Sequence, residues 1–198
     1  MASKLIMTAG YPELTELINI VAEELGLKVT IVEGILTEAA EKVKDYVENG
    51  NYEVAISRAG TAQEVKEAVD IPVVHHDSDE FDILQGFVRA KQLGDKICFI
   101  TYPEDGFLFN FDDITNTIGF DVTILTYKTP KELVDQVEKA KKMGMEVVLG
   151  GGMKAAEIAE EYGLKSMYLT ASKRSIRRML ILANKVAEDR IKLKEEAE

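Results

Sequence analysis

The 198-residue chain is 46% hydrophobic and 30% charged, a globular composition with apolar material for one large domain or two small ones. A formal charge of −11 and a pI near 4.8 argue against direct contact with nucleic acid, because phosphate recognition needs concentrated Lys and Arg. No stretch approaches the ~20 apolar residues of a membrane span. The opening Met1-Ala2-Ser3-Lys4-Leu5-Ile6-Met7 is too short and too soon interrupted for a secretory signal, so a cytoplasmic protein is expected.

Short β-rich runs recur along the chain at residues 4–7, 28–32, 53–57, 72–75, 96–101, 122–127, 146–149 and 166–169. Amphipathic helical patterns lie between most of them, at 13–25, 38–48, 62–69, 131–143 and 155–162. Strands alternating with helices imply βαβ units, parallel sheets and right-handed crossovers. A long helix over 79–94, then a fresh strand, divides the eight strands into two groups of four. The last element, from Ser172 to about Glu195, is longer than a crossover helix needs to be. The expected fold is therefore α/β: two Rossmann-like lobes, each a parallel four-stranded sheet flanked by helices, with a ligand cleft between them. Lobe one takes residues 1–78 and the C-terminal helix 172–198; lobe two takes 79–171, with 79–94 connecting.

Thr129-Pro130-Lys131-Glu132 reads as a capping box with proline at the first helical position, and Thr61-Ala62-Gln63-Glu64 as a second one. Gly26, Gly50, Gly94, Gly144 and Gly163 stand where helices should stop. Cys98, the one cysteine, excludes an internal disulfide and a cysteine-based zinc site, and its apolar surroundings read as core. The aromatic cluster Tyr102, Phe107, Phe109 and Phe111 follows the fifth strand, either packed under its own loop or walling a cleft.

Ligands of open α/β sheets bind outside the carboxyl ends of the strands. There the third strand runs into Ser57-Arg58-Ala59-Gly60-Thr61. Thr61 is expected to cap the next helix, Gly60 to admit a ligand close to the backbone, and Arg58 to offer forked donors to a carboxylate or phosphate. An ordinary capped loop with Arg58 paired to Glu64 is the plainer alternative. Gly150-Gly151-Gly152 is a second loop without side chains, either another close approach or simply a tight turn. It lacks the third glycine of a dinucleotide fingerprint, and no Walker A loop occurs, so neither a nucleotide cofactor nor any other cofactor is expected. His75 and His76 are adjacent on a strand and face opposite ways, which argues against a shared metal. Asp77 or Ser78 reads as the N-cap of the following helix.

Taken together, these stretches resemble the propionate catabolism activator N-terminal domain, the sensory module of sigma-54-dependent regulators of the NtrC class. The resemblance rests on Ile56-Ser57-Arg58-Ala59-Gly60-Thr61-Ala62, on Ile71-Pro72-Val73-Val74 followed by Ser78 and Phe81-Asp82-Ile83-Leu84, and on Gly150-Gly151 followed by Ala156, Ala159 and Gly163-Leu164. The helix from Ser172 to Ala187, with Ser175-Ile176, completes it. It implies an effector-sensing domain without catalysis, holding a small carboxylate-type anion at Ser57, Arg58, Ala59, Gly60, Thr61, His76, Ser78, Tyr102, Gly150, Gly151 and Gly152. Implied partners are that metabolite, the ATPase and DNA-binding output domains of a full-length regulator, and a second copy as a homodimer. The family loop usually reads Ser-Arg-Gly-Gly-Thr; Ala59 replaces the first glycine here, so the effector's identity does not carry over. The sequence continues to Glu198 with no ATPase following, as in a fragment or a free-standing sensor. An isomerase or lyase acting on a small anion, using His75, His76, Asp77 or Tyr102, is the alternative on the same architecture.

Overall fold

A computed structural model describes residues 4–76, 78–103 and 111–197. Sixteen elements alternate through it. They are β1 (Leu5–Ala9), α1 (Pro12–Leu25), β2 (Val29–Glu33), α2 (Leu36–Asn49), β3 (Val54–Ser57), α3 (Ala59–Ala68), β4 (Val73–His75) and α4 (Glu80–Lys91). The second half follows with β5 (Ile97–Thr101), α5 (Phe111–Ile118), β6 (Val122–Thr126), α6 (Pro130–Lys142), β7 (Val147–Gly150), α7 (Met153–Glu161), β8 (Lys165–Tyr168) and α8 (Lys173–Glu196). The chain divides into two compact units, Met1–Asp77 with Ala171–Glu198, and Ser78–Thr170.

In unit one the parallel sheet has the order β2-β1-β3-β4. Every residue of the central strands β1 and β3 is buried, because helices cover both faces of a parallel sheet and its inner strands read as continuous apolar runs. One face packs Ile6, Val32 and Ala55 against Ala40 and Val43 of α2 and Val65 of α3. On the other, α8 lies against β1, β3 and α1, burying Ile176, Leu180, Ala183 and Ala187. Their spacing marks one stripe of a helix, the stripe that faces a core. Burying such aliphatic side chains stabilises by roughly 1.5–3 kcal/mol each for the larger ones.

The apolar stripe of α8 ends at Ala187. The helix continues to Glu196 and stays tied down: Arg190 Nε donates to Glu53 at 3.3 Å, and Lys194 Nζ reaches both Glu53 oxygens at 2.8 Å. Glu53 sits just before β3 and is 9% exposed. Burial pushes its carboxyl up, but the hydrogen bonds and charges of Lys194 and Arg190 outweigh this and hold it below the ordinary range.

Unit two repeats the topology with the order β6-β5-β7-β8. Leu133, Val137, Ala155 and Ala159 fill one face of its sheet, around Cys98 and Val148. Ile83, Phe87, Phe99 and Ile114 fill the other. Phe111 also joins this core, 6.4 Å from Phe87 and 5.8 Å from Phe99 between ring centroids. The segment after β5 was expected to be loop alone, yet it contains α5, and Phe111 at its start is core rather than cleft wall. Phe107 and Phe109 lie outside the described residues.

Helix ends follow local chemistry. Thr129 Oγ1 accepts from the Glu132 amide at 3.1 Å, the first half of a capping box, while Glu132 Oε2 accepts from the Lys128 amide at 2.6 Å, one residue before the N-cap. Gly26, Gly144 and Gly163 take positive φ after their helices. Gly50 instead is extended at the end of α2, and α4 closes at Gln92, two residues before Gly94. The cap of α4 is Asp79, which accepts from the Asp82 amide, rather than Ser78; Asp77 lies outside the described residues.

Candidate functional site

In each unit the helices leave neighbouring strands toward opposite faces, creating a topological switch point at the carboxyl ends of two central strands. In unit one these are β1 and β3. Thr8 closes towards the end of β1 and Ser57 ends β3, and their hydroxyls meet at 2.6 Å in a buried bond. The Ser57 carbonyl accepts from the His76 amide at 2.7 Å. Ser57 and His76 are each 2% exposed. His75 is exposed and His76 buried, the alternation that β geometry demands. Among the described residues, no group of three His, Cys, Asp or Glu side chains is arranged to hold a metal ion.

Beyond Ser57 the chain turns directly into α3. The N-cap is Arg58, extended at φ −136 and ψ 159, and no side chain caps the helix. The expectation that Thr61 caps α3 is therefore corrected. Thr61 lies inside the first turn, 8% exposed, and its Oγ1 accepts from the Leu36 amide at 2.9 Å. The threonine thus fastens the start of α2 to the start of α3. The Ala62 amide already bonds the Arg58 carbonyl at 2.9 Å, so the amides of Ala59, Gly60 and Thr61 are the orphan first-turn donors of the helix. They carry the positive end of its dipole, and Arg58, half-buried, stands at the N-cap just before them.

Ala59 has φ +49. A side chain in the left-handed region costs roughly 1–2 kcal/mol per residue. The position therefore calls for glycine, and this chain holds it with alanine. Leu36, at the start of α2, has the same feature at φ +50.

In unit two the switch point lies between β5 and β7. The Gly151 amide donates to the Ile100 carbonyl at 2.8 Å, folding the loop back onto β5. A Cβ on Gly151 would fall 2.5 Å from Thr101 Oγ1 and 3.2 Å from Thr101 Cα; one on Gly150 would strike the Gly152 carbonyl oxygen. Close packing therefore explains Gly150 and Gly151. Gly152 is different, because a Cβ there would meet nothing within 4 Å, and it serves as the extended N-cap of α7. Tyr102 is half-buried and edge-on to Tyr127, with centroids 6.0 Å apart. Ser78 is half-buried just before Asp79.

Of the expected residues, then, the structure joins Ser57 to His76 and gathers Arg58, Ala59, Gly60 and Thr61 in one helix start. Thr8 is the member that sequence reasoning left out; its only signal was a hydroxyl residue at the end of a buried apolar strand. An open depression of about 640 Å³ in unit two, lined among others by Lys91, Gly94, Glu146 and Lys165, lies at the amino ends of that sheet, away from these loops.

Two doubly wound units of identical strand order, the first completed by a helix from the far end of the chain, define a class of α/β domain with two units. The profile of one family within it, described as propionate catabolism activator, matches residues 23–192. The chain belongs to this family of transcription-regulator sensory domains. Among solved structures, an NtrC family transcriptional regulator from Clostridium acetobutylicum aligns with a TM-score of 0.82 at 21% identity, over 96% of this chain and 99% of that one. The transcription regulator CcpA of Lactococcus lactis aligns at 0.52 and 10% identity, over 96% and 92%. At such identities the likeness is one of fold.

Proposed function

We propose that this domain senses a small carboxylate-type anion at the start of α3 and passes the signal to the output domains of a sigma-54-dependent regulator. The observation that carries the reading is the start of α3 at a topological switch point, with three first-turn amides and Arg58 at the N-cap before them. Both are donors suited to an anion, one by dipole and one by forked geometry. The Gly150–Gly152 loop of unit two is the second segment at a switch point, and Gly152 is the position there with room for a ligand. His76, Ser78 and Tyr102 are proposed to shape specificity rather than to perform chemistry.

Signal transfer is proposed to run along β3. The loop lies at the carboxyl end of this strand, while Glu53 just before its amino end grips Arg190 and Lys194 of α8. A change at the loop that biases β3 therefore biases the helix leading onward. Hydrogen exchange of α8 unaffected by a bound effector would count against this route.

The direct test is a thermal-shift screen of di- and tricarboxylates, sulfate and phosphate esters on wild type and Arg58→Ala. A ligand at a hundredfold excess over its dissociation constant stabilises by about 2.7 kcal/mol, a plain signal. The expected result is a carboxylate hit that Arg58→Ala abolishes. Hits of equal size in both proteins would move the site elsewhere. Turnover of a hit, followed by NMR, would assign the isomerase or lyase alternative instead.

A further inference from the structure

On the surface of unit one, α1 and α8 lie side by side and carry opposite charge. α1 contains Glu13, Glu16, Glu23 and Glu24 and no cation. The first half of α8, residues 173–185, contains Lys173, Arg174, Arg177, Arg178 and Lys185 and no carboxylate, in a chain whose net charge is −11. Between the two helices Glu24 pairs with Lys173 and with Arg177.

Each helix also exposes large apolar side chains near that ion pair. Ile20, one turn before Glu24, is 42% exposed; Ile181, one turn after Arg177, is 52%, and Leu182 is 51%. The sequences around them match in spacing. On α1, Glu16, Ile20 and Glu23 follow at steps of four and three; on α8, Arg178, Leu182 and Lys185 do the same. Residues so spaced share one helix face. One helix thus presents acid, aliphatic, acid, and the other base, aliphatic, base, the last base, Lys185, also pairing with Asp189 one turn on at 2.9 Å.

We propose that this face joins two copies of the chain about a two-fold axis, α1 of each lying against α8 of the other. Such an axis brings one surface patch against itself, so that an α1–α8 contact is necessarily made twice. The patch is complementary to itself in charge and apolar at its centre, which is what a second copy requires and what a uniformly acidic or basic partner would not satisfy. Ile20 would pack on Leu182, with Glu16 and Glu23 beside Arg178 and Lys185.

Sedimentation equilibrium of the full chain tests this, with thermal melts confirming that each variant is folded. Wild type is expected at twice its 22.0 kDa mass, and Leu182→Glu as a monomer, with Leu182→Ser as the milder variant should the first misfold. Arg178→Glu and Glu16→Arg alone should each weaken association by roughly tenfold or more, a tenfold change being about 1.4 kcal/mol. The double variant should restore it. A wild type that stays monomeric at the highest attainable concentration overturns the proposal. So does a dimer indifferent to Leu182→Glu, or a charge swap that does not recover what the single changes lose.

Discussion

Replacing Glu53 by Gln keeps the shape of the side chain but removes the charge that Arg190 and Lys194 approach. The carboxylate end is well shielded, with 11% of its side chain exposed, against 31% for Arg190 and 57% for Lys194. A hydrogen bond to a charged group contributes about 1.5–3 kcal/mol when enclosed, and an exposed ion pair only about 0–1 kcal/mol. With one end buried and the lysine largely in water, the loss should be about 1–2 kcal/mol. For a chain of this size that lowers Tm by about 2–8 °C at neutral pH. The folded pKa of Glu53 is depressed, so its contribution is complete above the ordinary glutamate value near 4.3 and is lost as pH falls through the lower folded value. Melting curves of wild type and Glu53→Gln should therefore differ at pH 7 and draw together as acid protonates Glu53 in the folded state. Equal stability at pH 7, or a gap that persists unchanged in acid, would refute the assignment of the pair as a stabilising clamp on α8.

Other outcomes follow from the same geometry. Ala59→Gly should stabilise by about 0.5–1 kcal/mol in a urea titration, because relief of the left-handed strain exceeds the backbone entropy that glycine loses; a destabilised variant would contradict the strain. Thr61→Val leaves the Leu36 amide without its acceptor and should cost about 1–3 kcal/mol, with the urea midpoint as the readout. Gly151→Ala drives a methyl group into Thr101 and should cost about 1–3 kcal/mol by overpacking, lowering the urea midpoint at constant slope. Burial pushes the Cys98 thiol up to about 12, so it should resist a thiol reagent at pH 8 until denaturant is added; prompt labelling of the native protein would be the contrary result.

The fold was legible because it rests on periodicity. The apolar runs Leu5-Ile6-Met7 and Val54-Ala55-Ile56, set between helical patterns, read as buried strands, and β1 and β3 are buried throughout. The missed helix α5 reflects its length: eight residues with a single buried position, Ile114, give too little period to separate it from loop. The capping error has a definite cause. Thr61 and Glu64 have the spacing of a capping box, but the turn at Ala59 starts the helix three residues early, and a left-handed alanine is invisible to propensity. The loop position of Ser57 and Arg58 was readable from the strand before them. Its bond to Thr8 was not, since that pairing depends on which strands become neighbours. The grip of Glu53 on α8 joins residues 137 and 141 positions apart, beyond any local pattern.

Because α8 belongs to unit one while unit two occupies residues 78–170, the order of synthesis and the order of assembly cannot coincide. On the ribosome β1 and β3 are made early, yet the helix that covers one face of their sheet begins only about 115 residues after β3 ends. At roughly 5–20 residues per second this leaves that apolar face open for on the order of 5–20 s. Unit two, continuous in the chain, is free to complete its own core in that interval. The nascent protein is therefore most exposed to chaperones and to misassociation in its earliest-made half, and a translational pause before Ala171 would lengthen that window.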